Sequence, residues 1–198
     1  MAKYQFQGQD IVAPFRITSN EPVFASDSVS LKQRRVAQGA QRWELEFGVL
    51  MQDPSSAFAD MVSTFNDNVT MTMPQLNVRG ETISSGTATS AVTVASNASS
   101  GDTQISPAGA NGTINKSRFI KFSNHDKIYL VTQNYSGSGF LSIYPSLRVA
   151  VPASTAILYK DSDAINLTAI RDLTNLSGIQ YTDGILSDVG NINLIEVL

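Results

Sequence analysis

The sequence predicts a mainly β protein. A discontinuous β domain, residues 1–79 and 162–198, carries one packed helix at about 53–66 and is interrupted by an all-β domain inserted at 80–161. Three observations carry this reading. Trp43, Leu45, Phe47 and Val49 alternate with Arg42, Glu44, Glu46 and Gly48, the period of two expected of a strand with one buried face. Between Arg118 and Val151, three β-branched and aromatic runs, Phe119 to Phe122, Lys127 to Val131 and Phe140 to Tyr144, are separated by turn residues, as in an antiparallel meander. Finally, composition shifts to Ser, Thr, Ala, Gly and Asn over residues 80–117, and strand patterning resets after Asp161.

In chain order, residues 1–51 read as strands. Val29 and Leu31 alternate with Ser28, Ser30 and Lys32 as one strand with a polar face, and Gly39 breaks the pattern before Trp43. Lys32, Arg34, Arg35 and Arg42 form a local basic cluster, which reads either as a solvated strand pair and turn or as a contact surface for an acidic partner. Asp53 is placed as an N-cap, and Pro54 fits the first helical position, where its missing N–H costs nothing. Phe58, Met61, Val62 and Phe65 then make one apolar stripe at helical spacing, suited to packing on a sheet. Asn66, Asp67 and Asn68 end the helix, and Val69, Met71 and Met73 alternate as a strand that stops at Pro74.

The low-complexity stretch contains short β-like islands at Ala91 to Val94 and Thr103 to Ile105. It reads as the start of the insertion, which a further strand, Ala156 to Tyr159, closes after the meander. Ile165, Leu167 and Ala169, then Ile179 and Tyr181, then Ile192 and Leu194 mark the returning strands, with Gly178, Gly184 and Gly190 at turns. An insertion of this kind requires its two ends to lie close together on the host domain.

Composition narrows the function classes. Of 198 residues, 42% are hydrophobic and 16% charged, which is too apolar for a disordered chain and too polar for a membrane protein. The formal charge of −3 provides no general attraction to phosphate backbones. There is no cysteine, so disulfide and thiolate chemistry are unavailable. The amino terminus lacks the apolar core of a signal peptide, and no apolar run has membrane-spanning length.

Catalysis finds little to work with. His125, the only histidine, sits in a Ser-Asn-His-Asp turn between two expected strands, where its ring is expected to bond local backbone. A triad needs its members to converge from different elements. The aspartates lack calcium-loop spacing, and Asp161 and Asp163 read as a turn at the domain junction. Ser136 to Gly139 lies between strands without the Lys-Ser/Thr ending or following helix of a phosphate loop, and reads as a hairpin turn. No catalytic, metal or cofactor residue is assigned, and no enzyme is expected.

The strand Phe119 to Phe122, the turn Ser123 to Asp126, the strand Lys127 to Val131, the Gly-Ser hairpin and Leu141 to Pro145 together resemble the inserted OB-like domain of siphophage distal tail proteins. The resemblance extends to the closing strand Val189 to Glu196 and to Trp43–Val49 followed by one helix. Lys116, Ser117 and Arg118 stand where that family often has a Gly-Asp turn. Related segments also occur in other phage tail and baseplate proteins. The resemblance implies a host domain like a tail-tube subunit, a β-barrel or sandwich with one packed helix, bearing an OB-like β-barrel.

It further implies a structural virion protein, made in the host cytoplasm. A hexameric ring at the distal end of the tail would join the tail tube protein to the baseplate hub protein, with DNA only as passing cargo in the channel. Subunits would pair sheet edges around that channel. Lys32, Arg34, Arg35 and Arg42, with the carboxy-terminal strands, are the subunit-contact candidates. The alternative is a glycan-binding, host-adsorption module using the OB-like insertion, with Tyr129, Tyr135, Phe140 and Tyr144 as the candidate aromatic surface.

Overall fold

The alternating residues of Trp43–Val49 do form a strand, which lies inside a six-stranded sheet. The structure, a computed structural model, describes residues 5–7, 9–27, 33–37, 39–50, 59, 63, 66–73, 77–78, 81–82, 86, 91–160, 163, 165–172, 180–182, 185–188 and 191–197. These residues are mainly β. Contacts divide the chain into two compact units, Met1–Met71 with Thr168–Leu198, and Thr72–Leu167.

Most of the first unit's strands form a six-stranded sheet built from β1 (Gln5–Phe6), β2 (Gln9–Asn20), β5 (Arg42–Leu50), β6 (Val69–Thr72), β16 (Asn166–Arg171) and β19 (Asn191–Glu196), with the ends of β6 and β16 at the unit boundary. Their order is β1-β2-β5-β19-β16-β6. Along β5, Trp43, Leu45, Phe47 and Val49 are buried while Arg42, Glu44, Glu46 and Gly48 are half-buried. The antiparallel register places Leu194 opposite Leu45 and Ile192 opposite Phe47, so both strands send apolar side chains to one face. Phe47 is stacked with Phe15 at 5.5 Å and meets Phe6 edge-on at 5.4 Å. Burying each such side chain contributes about 1.5–3 kcal/mol.

Two further antiparallel pairs belong to the first unit. β3 (Val23–Asp27) and β4 (Gln33–Ala37) form a two-stranded ribbon, as do β17 (Gln180–Thr182) and β18 (Ile185–Asp188). The strand expected at Val29 and Leu31 lies outside the described residues, and the flanking ribbon β3–β4 occupies the sequence on either side. Of the helix expected at about 53–66, most lies outside the described residues; Ala59 and Ser63 are both helical.

The chain leaves the first unit along β6 and returns along β16. Thr72 Oγ1 donates to Asn166 Oδ1 at 2.9 Å, and the Met73 N–H donates to the Ile165 carbonyl at 2.8 Å. The two ends of the intervening segment are thus hydrogen-bonded to each other. β7 (Asn77–Val78) and β8 (Glu81–Thr82) pair shortly after departure.

The second unit holds a seven-stranded antiparallel sheet. Its strands are β9 (Val92–Val94), β10 (Gln104–Ile105), β11 (Pro107–Ala108), β12 (Phe119–Phe122), β13 (Ile128–Val131), β14 (Leu141–Tyr144) and β15 (Ala156–Leu158). The order β10-β14-β13-β12-β15-β9-β11 puts at opposite ends two strands that only Ser106 separates in sequence. A flat sheet cannot satisfy that connection, so this one curls on itself. Val92, Val94, Ile105, Ile120, Phe122, Tyr129, Val131, Leu141, Ile143 and Ile157 lie in the core it encloses. The third run begins at Leu141, leaving Phe140 exposed beside Gly139, whose φ of +84° suits the turn.

Candidate functional site

The described residues of the basic segment are divided between two strands. Arg34 and Arg35 lie on β4 and are exposed; Lys32 lies outside the described residues. Arg42 belongs to β5, where its Nε donates to Glu44 Oε1 at 3.0 Å. On the same polar face of the sheet, Arg16 NH1 donates to Glu46 Oε2 at 2.9 Å, Asn20 Nδ2 to Glu44 Oε1 at 2.7 Å, and Asn191 Nδ2 to Glu46 Oε1 at 3.1 Å. These contacts are partly exposed, where ion pairs are worth about 0–1 kcal/mol each. They hold the Glu44 and Glu46 carboxylates in fixed positions. Arg16, Thr18, Glu44, Leu45, Glu46, Asp172 and their neighbours on β19 line a groove of about 190 Å³.

The ribbon bearing Arg34 and Arg35 is exposed on both faces. Phe24 and Val36 are register partners and share one face, at 63% and 51% exposed. Val23, at 49%, points to the other because successive strand residues alternate. Arg34 opposite Ser26 extends the first face, and Arg35 opposite Ala25 the second. Each face therefore presents an apolar residue near the base and an arginine toward the tip. The sequence reading missed Phe24 and Val36, because neither VFASD nor QRRVA alternates apolar with polar residues and no local pattern marks them.

The carboxy-terminal strand β19 lies between β5 and β16, and from Asn193 to Val197 its backbone is engaged on the β16 side, so that part offers another subunit no edge. The outer side of β2 is different. β1 is registered only with Gln9 and Asp10, and no other described strand lies along the outer side of β2. Pro14 and a register shift between Val12 and Arg16 interrupt that edge, devices that discourage indiscriminate strand pairing.

The His125 ring is held by side chains rather than by local backbone. Its Nδ1 is 2.8 Å from Asn124 Oδ1 and its Nε2 is 2.9 Å from the Tyr129 hydroxyl. Asn124 Nδ2 donates to the Ala150 carbonyl at 3.1 Å, which turns its Oδ1 toward the ring, and the Arg148 N–H donates to the Tyr129 hydroxyl at 3.2 Å. The imidazole consistent with this set is neutral, with its proton on Nδ1 donated to Asn124 and Nε2 accepting from Tyr129. Burial depresses its pKa from the ordinary value, and the Lys121 ammonium adds to that against the opposing pull of Asp126. The ring lies against Phe122 at 5.7 Å. No nucleophile or orienting carboxylate is among these ring partners, and the network joins the turn at Ser123–Asp126 to the segment after Leu147.

Asp163 also acts in a turn: its Oδ2 accepts from the N–H groups of Tyr159 and Lys160, each at 2.9 Å. Asp161 lies outside the described residues. Among the described residues, no group of three or more His, Cys, Asp or Glu side chains is placed to hold a metal ion. Nor is any helix among them long and apolar enough to cross a membrane. Of the aromatic residues considered for a glycan surface, Tyr129 and Tyr135 are buried in the core, Tyr144 is half-buried, and Phe140 is exposed. Two of the four are thereby removed from any outer face.

No protein-family model matches the chain, and no curated protein matches it.

Proposed function

We propose that this protein is a structural subunit of a phage tail, assembling into a hexameric ring at the distal end that joins the tail tube to the baseplate hub. The observation that carries the proposal is the β3–β4 ribbon with both faces exposed, displaying Val23, Phe24 and Val36. A two-stranded ribbon gains little stability alone in water, and exposed apolar residues on both its faces are accounted for by burial against another protein surface. The side-chain networks described above hold turns and strands in place, as suits an assembly component.

The resemblance of the meander to the OB-like insertion of siphophage distal tail proteins supplies the particular assembly. A curled seven-stranded sheet inserted between hydrogen-bonded chain ends is compatible with that resemblance. On this reading the first unit is the tail-tube-like ring former, the second is the OB-like barrel, and the protein resides in the virion. Mass photometry with negative-stain electron microscopy of the purified chain tests it. Six-fold rings are the expected result; a protein that stays monomeric across the micromolar range overturns the proposal.

A further inference from the structure

The exposed ribbon and the acidic groove lie in the same unit and are complementary. The ribbon presents Arg34 and Arg35 toward its tip, one on each face. Among the described residues, the groove is lined by three carboxylate residues, Glu44, Glu46 and Asp172, and one cation, Arg16, with Thr18 among them. Even counting Arg42 beside Glu44, the acidic groups outnumber the basic ones among the described residues. A carboxylate accepts at roughly four lone-pair positions, so the contacts from Arg16, Arg42, Asn20 and Asn191 leave Glu44 and Glu46 able to accept more. At about 190 Å³ the groove accommodates several waters of about 30 Å³ each, and hence a planar guanidinium that displaces them.

From these placements we infer that the β3–β4 ribbon of one copy docks on the polar sheet face of a second copy of this chain, seating Arg34 or Arg35 in the Glu44–Glu46–Asp172 groove. The contact is heterologous: ribbon and groove are different surfaces, so each copy gives one and receives one. Such contacts propagate around a closed ring or along a filament. Arginine suits the role because its fork of donors matches carboxylate geometry. The apolar part of the contact falls to Phe24 and Val36, or to Val23, according to which face turns inward. The inference rests on the proposed ring assembly and names the surfaces that would close it.

Because the chain has no cysteine, pairs of introduced thiols report proximity without background. Arg35→Cys and Thr18→Cys are made in separate full-length proteins, mixed after dissociation, and oxidised mildly. The expected result is a disulfide-linked heterodimer in the mixture, absent from either protein alone and from a mixture of Arg35→Cys with Ser123→Cys. In parallel, Arg34→Glu combined with Arg35→Glu weakens assembly by at least about tenfold in mass photometry, as expected for losing close interfacial charge pairs. Adding Asp172→Arg restores part of it, and unchanged circular dichroism shows that the variants fold.

A wild-type chain that never assembles overturns both the ring reading and this contact. A wild-type ring that survives the arginine reversals, with no crosslink to Thr18→Cys, overturns the contact alone. A strong crosslink between two copies of Arg35→Cys also overturns it, by showing ribbon-to-ribbon pairing.

Discussion

His125 shows how much of a residue's role depends on what holds its neighbours in place. Its neighbours Asn124 and Asp126 indicate a turn, but the ring's fate is decided by Tyr129 and by the backbone at Arg148 and Ala150. The folded state depresses the imidazole pKa, chiefly through burial and then through Lys121, with Asp126 opposing. A group whose folded pKa lies below its unfolded value favours folding while neutral, so its contribution is complete above the unfolded value. It is lost as pH falls from there through the folded value. Thermal unfolding followed from about pH 8 to pH 5 spans the unfolded histidine value near 6.5. The wild type is expected to lose stability over that range more steeply than His125→Gln; parallel profiles would show that burial of the neutral ring contributes nothing. Gly86 marks another limit of sequence reading. A Cβ there would lie 2.0 Å from the Thr113 carbonyl oxygen, yet within a Ser/Thr/Gly-rich stretch that glycine looks like any loop residue.

At the scale of elements, alternation was readable wherever one face of a strand is buried and the other is not. The β5 pattern from Trp43 to Val49 and the β19 pattern from Ile192 to Glu196 have that form. Glu196 is the informative exception, because it occupies an inward position and is only 3% exposed. Its Oε2 accepts from the Trp43 N–H at 3.0 Å, joining the end of β19 to the start of β5 across 153 residues of sequence. A backbone donor so far along the chain leaves no local sign beside the carboxylate. Glu196→Ala leaves this buried N–H without its carboxylate, at an expected cost of about 1–3 kcal/mol. Urea unfolding should show a lower midpoint with an unchanged slope; an unchanged midpoint would mean that water or another group replaces the carboxylate without loss. The β3–β4 ribbon was less legible for a different reason. With both faces exposed, it has no buried set that would impose an alternating pattern or anchor the register, and the basic residues Arg34 and Arg35 stood out while Phe24 did not.

At the scale of the molecule, the connection between the two units makes the location of the assembly surface testable. The proposed ribbon and groove both belong to the unit formed by Met1–Met71 and Thr168–Leu198, whereas the curled sheet belongs to Thr72–Leu167. The exit and return strands are already bonded through Thr72 to Asn166 and through Met73 to Ile165. Replacing residues 74–164 with a two-residue Asn-Gly turn would therefore close β6 onto β16 with a hairpin suited to adjacent antiparallel strands. It removes the seven-stranded sheet while keeping the ribbon, the groove and the strands that present them. If assembly is the property of the first unit, the shortened chain forms rings of the same copy number as the full chain, each lighter by that copy number times the mass removed per subunit. Mass photometry reads copy number and mass together, and circular dichroism establishes that the remaining sheet is folded. A folded but monomeric shortened chain would instead locate the essential contact in the second unit, against both the ribbon contact and the division of labour proposed for this protein.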